Sequence, residues 1–151
     1  MKKRSKAIII LTVLLIIGSV VTFYRLTVPT IVSSSVSMGD SIESLDDLEE
    51  RSAIIAEVQV VGEGKKGEND LPYTYTPVRI TKVHKGNFSP EEEIEVREFY
   101  RYHRTPIGLY LEIIEVYLPM ENGGKYLLFL SETPSGTLSV AGIAYGKFVW
   151  P

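Results

Sequence analysis

One segment of the sequence concentrates side chains that can bind a ligand, namely Arg97-Glu-Phe-Tyr-Arg-Tyr-His-Arg104. It holds three Arg, one His and three aromatic residues. Guanidinium groups donate hydrogen bonds from a planar fork and aromatic rings offer π faces, and surfaces that bind anions or stack on ligands combine the two. In an extended segment alternate residues share a face, which separates Arg97, Phe99, Arg101 and His103 from Tyr100, Tyr102 and Arg104. We therefore predict a ligand-binding surface made of these seven residues.

Two groups of polar side chains also have a purely structural interpretation. In the 97–104 segment the rings could pack on the domain while the Arg side chains pair with nearby acids. The run Glu91-Glu92-Glu93 offers carboxylates of the kind that bind Ca²⁺. Three consecutive residues point in different directions, so a solvated charge run is favoured over a calcium site.

Catalytic signatures are missing from the sequence. The two His residues, His84 and His103, belong to no H-E-x-x-H spacing, and no G-x-S-x-G motif occurs. The run Gly62-Glu-Gly-Lys-Lys-Gly67 lacks the following Ser or Thr and the helix that a phosphate loop requires, so it predicts a flexible hairpin. We expect a protein that is not an enzyme, with no catalytic residue, no metal and no cofactor.

Charge is divided unevenly along the 151 residues. Residues 1–25 carry five basic residues and no acid, a charge of +5, whereas the remainder has 11 basic and 19 acidic residues, a charge of −8. The chain contains no Cys, which excludes disulfides, thiolate chemistry and a lipid-modified Cys. An acidic domain repels a polyanion, so we expect no nucleic-acid partner.

The N-terminal segment has the composition of a membrane anchor. Residues 7–24 contain no charged residue and span roughly 27 Å as a helix, close to the thickness of a bilayer core. Four basic residues precede this run, so the positive-inside rule predicts a cytoplasmic N-terminus and an extracytoplasmic remainder in the cell membrane. A cleaved signal is the alternative, although Phe23-Tyr24-Arg25-Leu26 offers no small-x-small cleavage site.

Three regions follow from these patterns. Residues 1–25 are the basic N-terminus and transmembrane anchor, 26–41 a stalk, and 42–151 an extracytoplasmic domain. A helix capped by Asp40 or Ser41 is predicted over 42–51, and β-branched runs separated by turn residues then predict short strands. Within one of these strands Pro77 is expected at an edge or a bulge, because it lacks an N–H donor. The fold class is mainly β, a five- to six-stranded antiparallel OB-like barrel with one short outer helix, preceded by a single transmembrane helix.

The order of four segments resembles a known family. They are Ser52-Ala-Ile-Ile-Ala-Glu-Val-Gln-Val-Val-Gly62, Tyr75-Thr-Pro-Val-Arg-Ile-Thr-Lys-Val-His-Lys-Gly86, Gly124-Lys-Tyr-Leu-Leu-Phe-Leu130 and Gly146-Lys-Phe-Val149. Over roughly residues 42–150 the chain is similar to the netrin-like OB barrel of the tissue inhibitors of metalloproteinases, and to bacterial secreted or membrane-anchored domains with that pattern. Those inhibitors chelate the zinc of their target through an N-terminal Cys, which this chain lacks. The resemblance therefore implies a fold and transfers no site residue.

These observations predict a membrane-anchored extracytoplasmic binding module. Its expected partners are membrane lipid, through residues 7–24, and an envelope protein, glycan or polyanion. The alternative is an inhibitor of an extracytoplasmic protease that acts without a chelating N-terminal Cys. A third hypothesis, an envelope hydrolase, would require His84 or His103 to be catalytic.

Overall fold

The computed structural model describes residues 2–35, 42–67, 72–115 and 117–151. These residues divide into two compact units, one made of Met1–Val32 and Tyr102–Leu111 and the other of Ser33–Arg101 and Glu112–Pro151. The helices are α1 (Lys2–Thr27) and α2 (Leu45–Arg51). The strands are β1 (Thr30–Ser34), β2 (Ile54–Val60), β3 (Lys65–Lys66), β4 (Thr74–Lys85), β5 (Glu93–Glu98), β6 (Tyr100–Thr105), β7 (Gly108–Ile114), β8 (Lys125–Glu132), β9 (Leu138–Val140) and β10 (Lys147–Val149).

Five strands of the larger unit close into a barrel. Their order is β8-β2-β4-β5-β9, and β9 pairs back onto β8. All of these pairs are antiparallel except β5–β9, which is parallel. Strand β10 adds to the barrel at β8, and β3 adds at β4. The mainly β, OB-like barrel expected from the sequence is confirmed.

The barrel core comes from the β-branched and aliphatic residues that alternate along its strands. From Thr74 to Ile80 every second side chain of β4 is buried, and Val78 and Ile80 have no exposed surface. Val96 of β5 and Leu128 and Leu130 of β8 are equally buried. Because a strand turns successive side chains to opposite faces, the intervening residues of β4 and β5 form an outer face.

Helix α2 packs on the barrel, but it begins later than the sequence suggested. It starts at Leu45, with Ser44 as the N-cap whose side chain accepts a hydrogen bond from the Asp47 N–H. The Asp47 carboxylate in turn accepts a hydrogen bond from the N–H of Glu43, the residue before the N-cap. The predicted caps Asp40 and Ser41 lie outside the described residues. Leu48 of α2 joins a core cluster with Ile55, Phe129 and Ala141.

Pro77 is not at a sheet edge, one of the two places expected from its missing donor, but it lies where the pairing of β4 with β2 ends. It lies inside β4, opposite Glu95 of β5, while its carbonyl accepts a hydrogen bond from the Val61 N–H just beyond the end of β2. The N and O atoms of one strand residue face the same neighbour, so the missing N–H of Pro77 points to where β2 has ended. Pro77 therefore contributes to this pair through its carbonyl alone.

Helix α1 dominates the smaller unit. Its residues Ile8–Thr27 are long enough and apolar enough to cross a membrane, and none of this stretch is buried. A secretion signal near an N-terminus meets the same criterion. Beyond α1, residues 30–34 of the predicted stalk form β1, and β1, β7 and β6 make a three-stranded sheet in that order.

Candidate functional site

Arg97 lies on an aromatic platform on the outer face of the barrel. Its guanidinium carbon sits 4.4 Å from the ring centroid of Tyr73 and 5.7 Å from that of Phe99. Its cross-strand neighbours are Tyr75 on β4 and Ser139 on β9, and Nε donates to Ser139 Oγ at 3.4 Å. A guanidinium over an aromatic ring can still donate hydrogen bonds from its outer N–H groups to a planar anionic group. We call Arg97, Tyr73 and Tyr75 the Arg97 platform.

The acids on the same face are already paired with other cations. Glu95 contacts Lys65 at 3.2 Å and Glu93 contacts Arg79 at 2.7 Å. Within the described part of the chain, no carboxylate forms an ion pair with Arg97. Among the described residues, Arg97 is therefore a cation on this face that no carboxylate compensates.

The predicted 97–104 surface does not form one continuous strand. Strand β5 ends at Glu98, β6 begins at Tyr100, and the break at Phe99 changes which side chains share a face. Phe99 and Tyr100 are buried, with 4% and 5% of their surface exposed. Phe99 contacts the Tyr73 and Tyr117 rings edge-on at 5.7 and 6.0 Å, so it supports the platform from within.

The rest of the segment lies on β6. Arg101 is half-buried, and its guanidinium donates a hydrogen bond to the Glu112 carboxylate on β7 at 2.8 Å. This is the pairing of Arg with a nearby acid that the structural interpretation of the segment expected. His103 stacks on Tyr110, with ring centroids 5.4 Å apart and 10° between the planes. Tyr102 and Arg104 point to the exposed side of the strand. Arg97 and the other residues of the predicted surface are thus not on one strand.

A buried polar cluster adjoins the platform, and the sequence analysis did not predict it. The Glu98 side chain is fully buried and accepts hydrogen bonds from Thr76 Oγ1, from Tyr117 Oη at 2.7 Å and from the Met120 N–H at 2.9 Å. Lys147 Nζ lies 3.7 Å from the same carboxylate. Alternation along β5 could have indicated the burial of Glu98, because Glu98 is two residues after Val96 and its side chain points to the same, inward face.

The environment of this cluster shifts two pKa values. Burial, which outweighs the opposing charge of Glu98, lowers the pKa of Lys147 to about 8. Burial and then the charge of Glu98 raise the pKa of Tyr117 well above its usual value. The Lys147 ammonium also lies 3.9 Å from the centroid of the Tyr117 ring. Glu98 and Tyr117 have no exposed surface, so this cluster is part of the barrel core.

The remaining polar groups singled out by the sequence are engaged separately. His84 Nε2 lies 2.9 Å from Glu57 Oε1, and this contact is the main cause of a lowered pKa for the Glu57 carboxyl. In the run Glu91–Glu92–Glu93, Glu92 accepts from the Ser89 N–H and Glu93 pairs with Arg79. Among the described residues no group of three or more His, Asp or Glu side chains could hold a metal ion.

Comparison with known proteins assigns neither a family nor a function to the chain. No protein-family model matches the chain, and no curated protein matches it. The netrin-like resemblance stays a prediction from the sequence pattern.

Proposed function

We propose that the protein is a membrane-anchored, extracytoplasmic binding module whose barrel captures an anionic group of an envelope protein or glycan on the Arg97 platform. Helix α1 supplies the tether, with the basic N-terminus on the cytoplasmic side. The barrel, on its outer face, supplies the recognition surface. No catalytic step is part of this proposal.

The observation that carries the proposal is the Arg97 guanidinium itself. It is oriented by Tyr73 at 4.4 Å and by Ser139, and no described carboxylate pairs with it, while the neighbouring acids are compensated. A fixed guanidinium loses less conformational entropy on binding than a mobile one, and each charge-assisted hydrogen bond to a carboxylate, sulfate or phosphate contributes roughly 1.5–3 kcal/mol.

Site-specific photo-cross-linking in the native membrane tests this surface. A benzophenone amino acid replaces Tyr75, the cross-strand neighbour of Arg97, in the full-length protein. A matched chain carries the same probe at Lys125, an exposed residue of β8. We expect a specific adduct from position 75 that is missing from position 125, and we expect Arg97→Gln to weaken its capture about tenfold.

Arg97→Lys is the conservative control, because it keeps the charge and loses the planar fork. It should lose part of the capture if a bidentate anion is bound. Equal labelling from positions 75 and 125 would show that the platform recognises nothing. An adduct with a protease would instead favour the inhibitor hypothesis.

A further inference from the structure

A second surface of the molecule lies in the smaller unit, where the end of α1 meets the tip of the β6–β7 hairpin. We define the hairpin tip as Tyr102–Leu111, the hairpin part of this unit. Its two-residue turn, Pro106-Ile107, joins β6 to β7. Gly108, directly after the turn, approaches the α1 backbone so closely that an added Cβ would lie 3.1 Å from the Arg25 carbonyl oxygen.

A cleft of about 580 Å³ lies between these two elements. Apolar and aromatic side chains form much of its wall, and Arg25 is the charged residue among those that line it. The α1 side contributes Val20, Val21 and Tyr24, and the hairpin side contributes Ile107 and Tyr110. A cleft with apolar walls and one cation matches an amphiphile with an anionic head.

The position of the cleft along α1 determines what can reach it. Val20 lies about 10 Å below Thr27 along the helix axis, at a rise of about 1.5 Å per residue. Thr27 is the last residue of the stretch that could cross a membrane. When α1 spans a bilayer, the Arg25 end of the cleft therefore lies at headgroup level and the Val20 end among the acyl chains.

The charge and the exposed apolar surface of the hairpin tip also fit a position at the membrane interface. Ile107, at the turn, has 68% of its surface exposed although it is apolar. Arg25 and Arg104 are cations with no ion-pair partner among the described residues, and the stretches Met1–Val32 and Tyr102–Leu111 contain no acidic residue. Exposed aliphatic and aromatic residues beside Arg are characteristic of surfaces that sit in the membrane interface.

We propose that this cleft binds one anionic phospholipid of the outer leaflet, with its phosphate beside Arg25, an acyl chain along Val20 and Val21, and the Ile107 turn inserted at the interface. The inference rests on the membrane tether of the proposed function and is independent of the Arg97 platform. It assigns the hairpin tip a lipid, whereas the sequence analysis placed Tyr102, His103 and Arg104 in a surface for an envelope protein, glycan or polyanion.

Tryptophan fluorescence in vesicles tests the insertion of the turn. The full-length chain carries Ile107→Trp in a Trp150→Phe background, so that position 107 is the single reporter. It is reconstituted in vesicles of phosphatidylcholine alone or with three-tenths phosphatidylglycerol, each containing a lipid spin-labelled near its headgroup. We expect a blue-shifted emission that the spin label quenches, more strongly with phosphatidylglycerol.

A second reporter separates this inference from the tether itself. Ile16→Trp, in the middle of α1, should be quenched by a label deep in the acyl chains whatever the hairpin does. Quenching at position 16 combined with a water-exposed, unquenched Trp at position 107 would overturn the inference and leave the tether standing. Lack of quenching at position 16 would overturn both.

Native mass spectrometry of the protein released from mixed-lipid nanodiscs tests the headgroup. We expect the full-length protein to retain phosphatidylglycerol over phosphatidylcholine, and Arg25→Gln to reduce that preference about fivefold. Arg25→Lys should keep most of it, and Lys125→Gln, which removes one positive charge from β8, should leave it unchanged. Equal loss in Arg25→Gln and Lys125→Gln would mean that net charge, not the cleft, selects the lipid, and the headgroup assignment would fail.

Discussion

Two adjacent residues, Arg97 and Glu98, have opposite environments because a strand turns them to opposite faces. Arg97 lies across the Tyr73 ring on the outer face, whereas Glu98 is completely buried among Thr76, Tyr117 and Lys147. A buried carboxylate is tolerated only when its lone pairs are satisfied and a cation is near. At the scale of single residues, the proposed recognition surface and the buried cluster therefore occupy neighbouring positions of one strand.

Replacing Glu98 by Gln should destabilise the barrel by about 3 kcal/mol, because the buried Lys147 loses its counter-charge and one acceptor becomes a donor. Glu95→Gln is the matched control, since Glu95 is on the same strand and its pair with Lys65 is exposed. That control should cost less than about 1 kcal/mol. Urea unfolding of the full-length protein in detergent, followed by circular dichroism, measures both. Equal free energies of unfolding for the two variants would contradict the structural role of the cluster.

The pKa of Lys147 predicts how stability depends on pH. Between a folded-state pKa of about 8 and the ordinary value of 10.5, the unfolded chain holds a proton that the folded chain has released. The free energy of unfolding should therefore rise as pH increases through this range. Above about pH 10 the raised pKa of Tyr117 has the opposite effect, because the folded chain then keeps a proton that the unfolded chain loses.

Urea midpoints at a series of pH values between 8 and 10, compared between the wild-type chain and Lys147→Met, isolate this contribution. Met keeps the aliphatic volume of the side chain and does not titrate. The wild-type slope should exceed that of the variant, and parallel curves would mean that Lys147 has its ordinary pKa in the folded protein.

At the scale of elements, the junction between β8, β10 and the turn before β10 is closely packed. The Phe129 N–H donates to the Gly146 carbonyl, and the Ala141 N–H donates to the Phe129 carbonyl. A Cβ on Gly146 would lie 2.6 Å from the Ala141 oxygen and 2.8 Å from the Phe129 oxygen. These are backbone atoms inside the barrel, so they cannot move aside without breaking its hydrogen bonds.

Gly146→Ala should therefore lower the free energy of unfolding by about 3 kcal/mol. Gly62→Ala is the graded comparison, because its Cβ would meet only the Pro77 side chain, at 3.1 Å. We expect a cost below about 1 kcal/mol there. Thermal unfolding of both variants shows which one is less stable. A Gly62→Ala variant as unstable as Gly146→Ala would show that crowding at the β8–β10 junction does not cause the loss of stability.

For the whole molecule, charge is sorted between the two units. All 19 acidic residues belong to Ser33–Arg101 and Glu112–Pro151, and the other unit carries only basic charges. This sorting suits a chain with one part at an anionic membrane and the other in solution, and it underlies the proposed orientation.

The absence of Cys makes that orientation directly testable. In intact cells, a membrane-impermeant maleimide should label Ser135→Cys, in the turn before β9, and should not label Ser5→Cys until the membrane is opened. Labelling of both or of neither in intact cells would reject a cytoplasmic N-terminus with an external barrel. A mature protein that lacks position 5 altogether would identify α1 as a cleaved signal.

The sequence by itself determined the features that depend on local pattern. An uninterrupted apolar run yields a helix that could cross a membrane, and β-branched runs between Gly, Pro and Asn turns yield the strands of a small barrel. The start of α2 could also have been predicted from the sequence, since Ser44 and Asp47 have the spacing of a capping box. These features need only neighbours along the chain.

Tertiary structure decided everything that depends on contacts between distant segments. The break at Phe99 sets which residues of 97–104 face inward, and the strands on either side of β5 fix that break, so Glu98 became core and Arg97 became surface. Tyr73, which orients Arg97, and Gly108, which approaches Arg25, have no pattern in the sequence that links them to these partners. Which side chains are buried and which are paired depends on the closed barrel and on the hairpin, and the alternation of residues along one strand does not predict it.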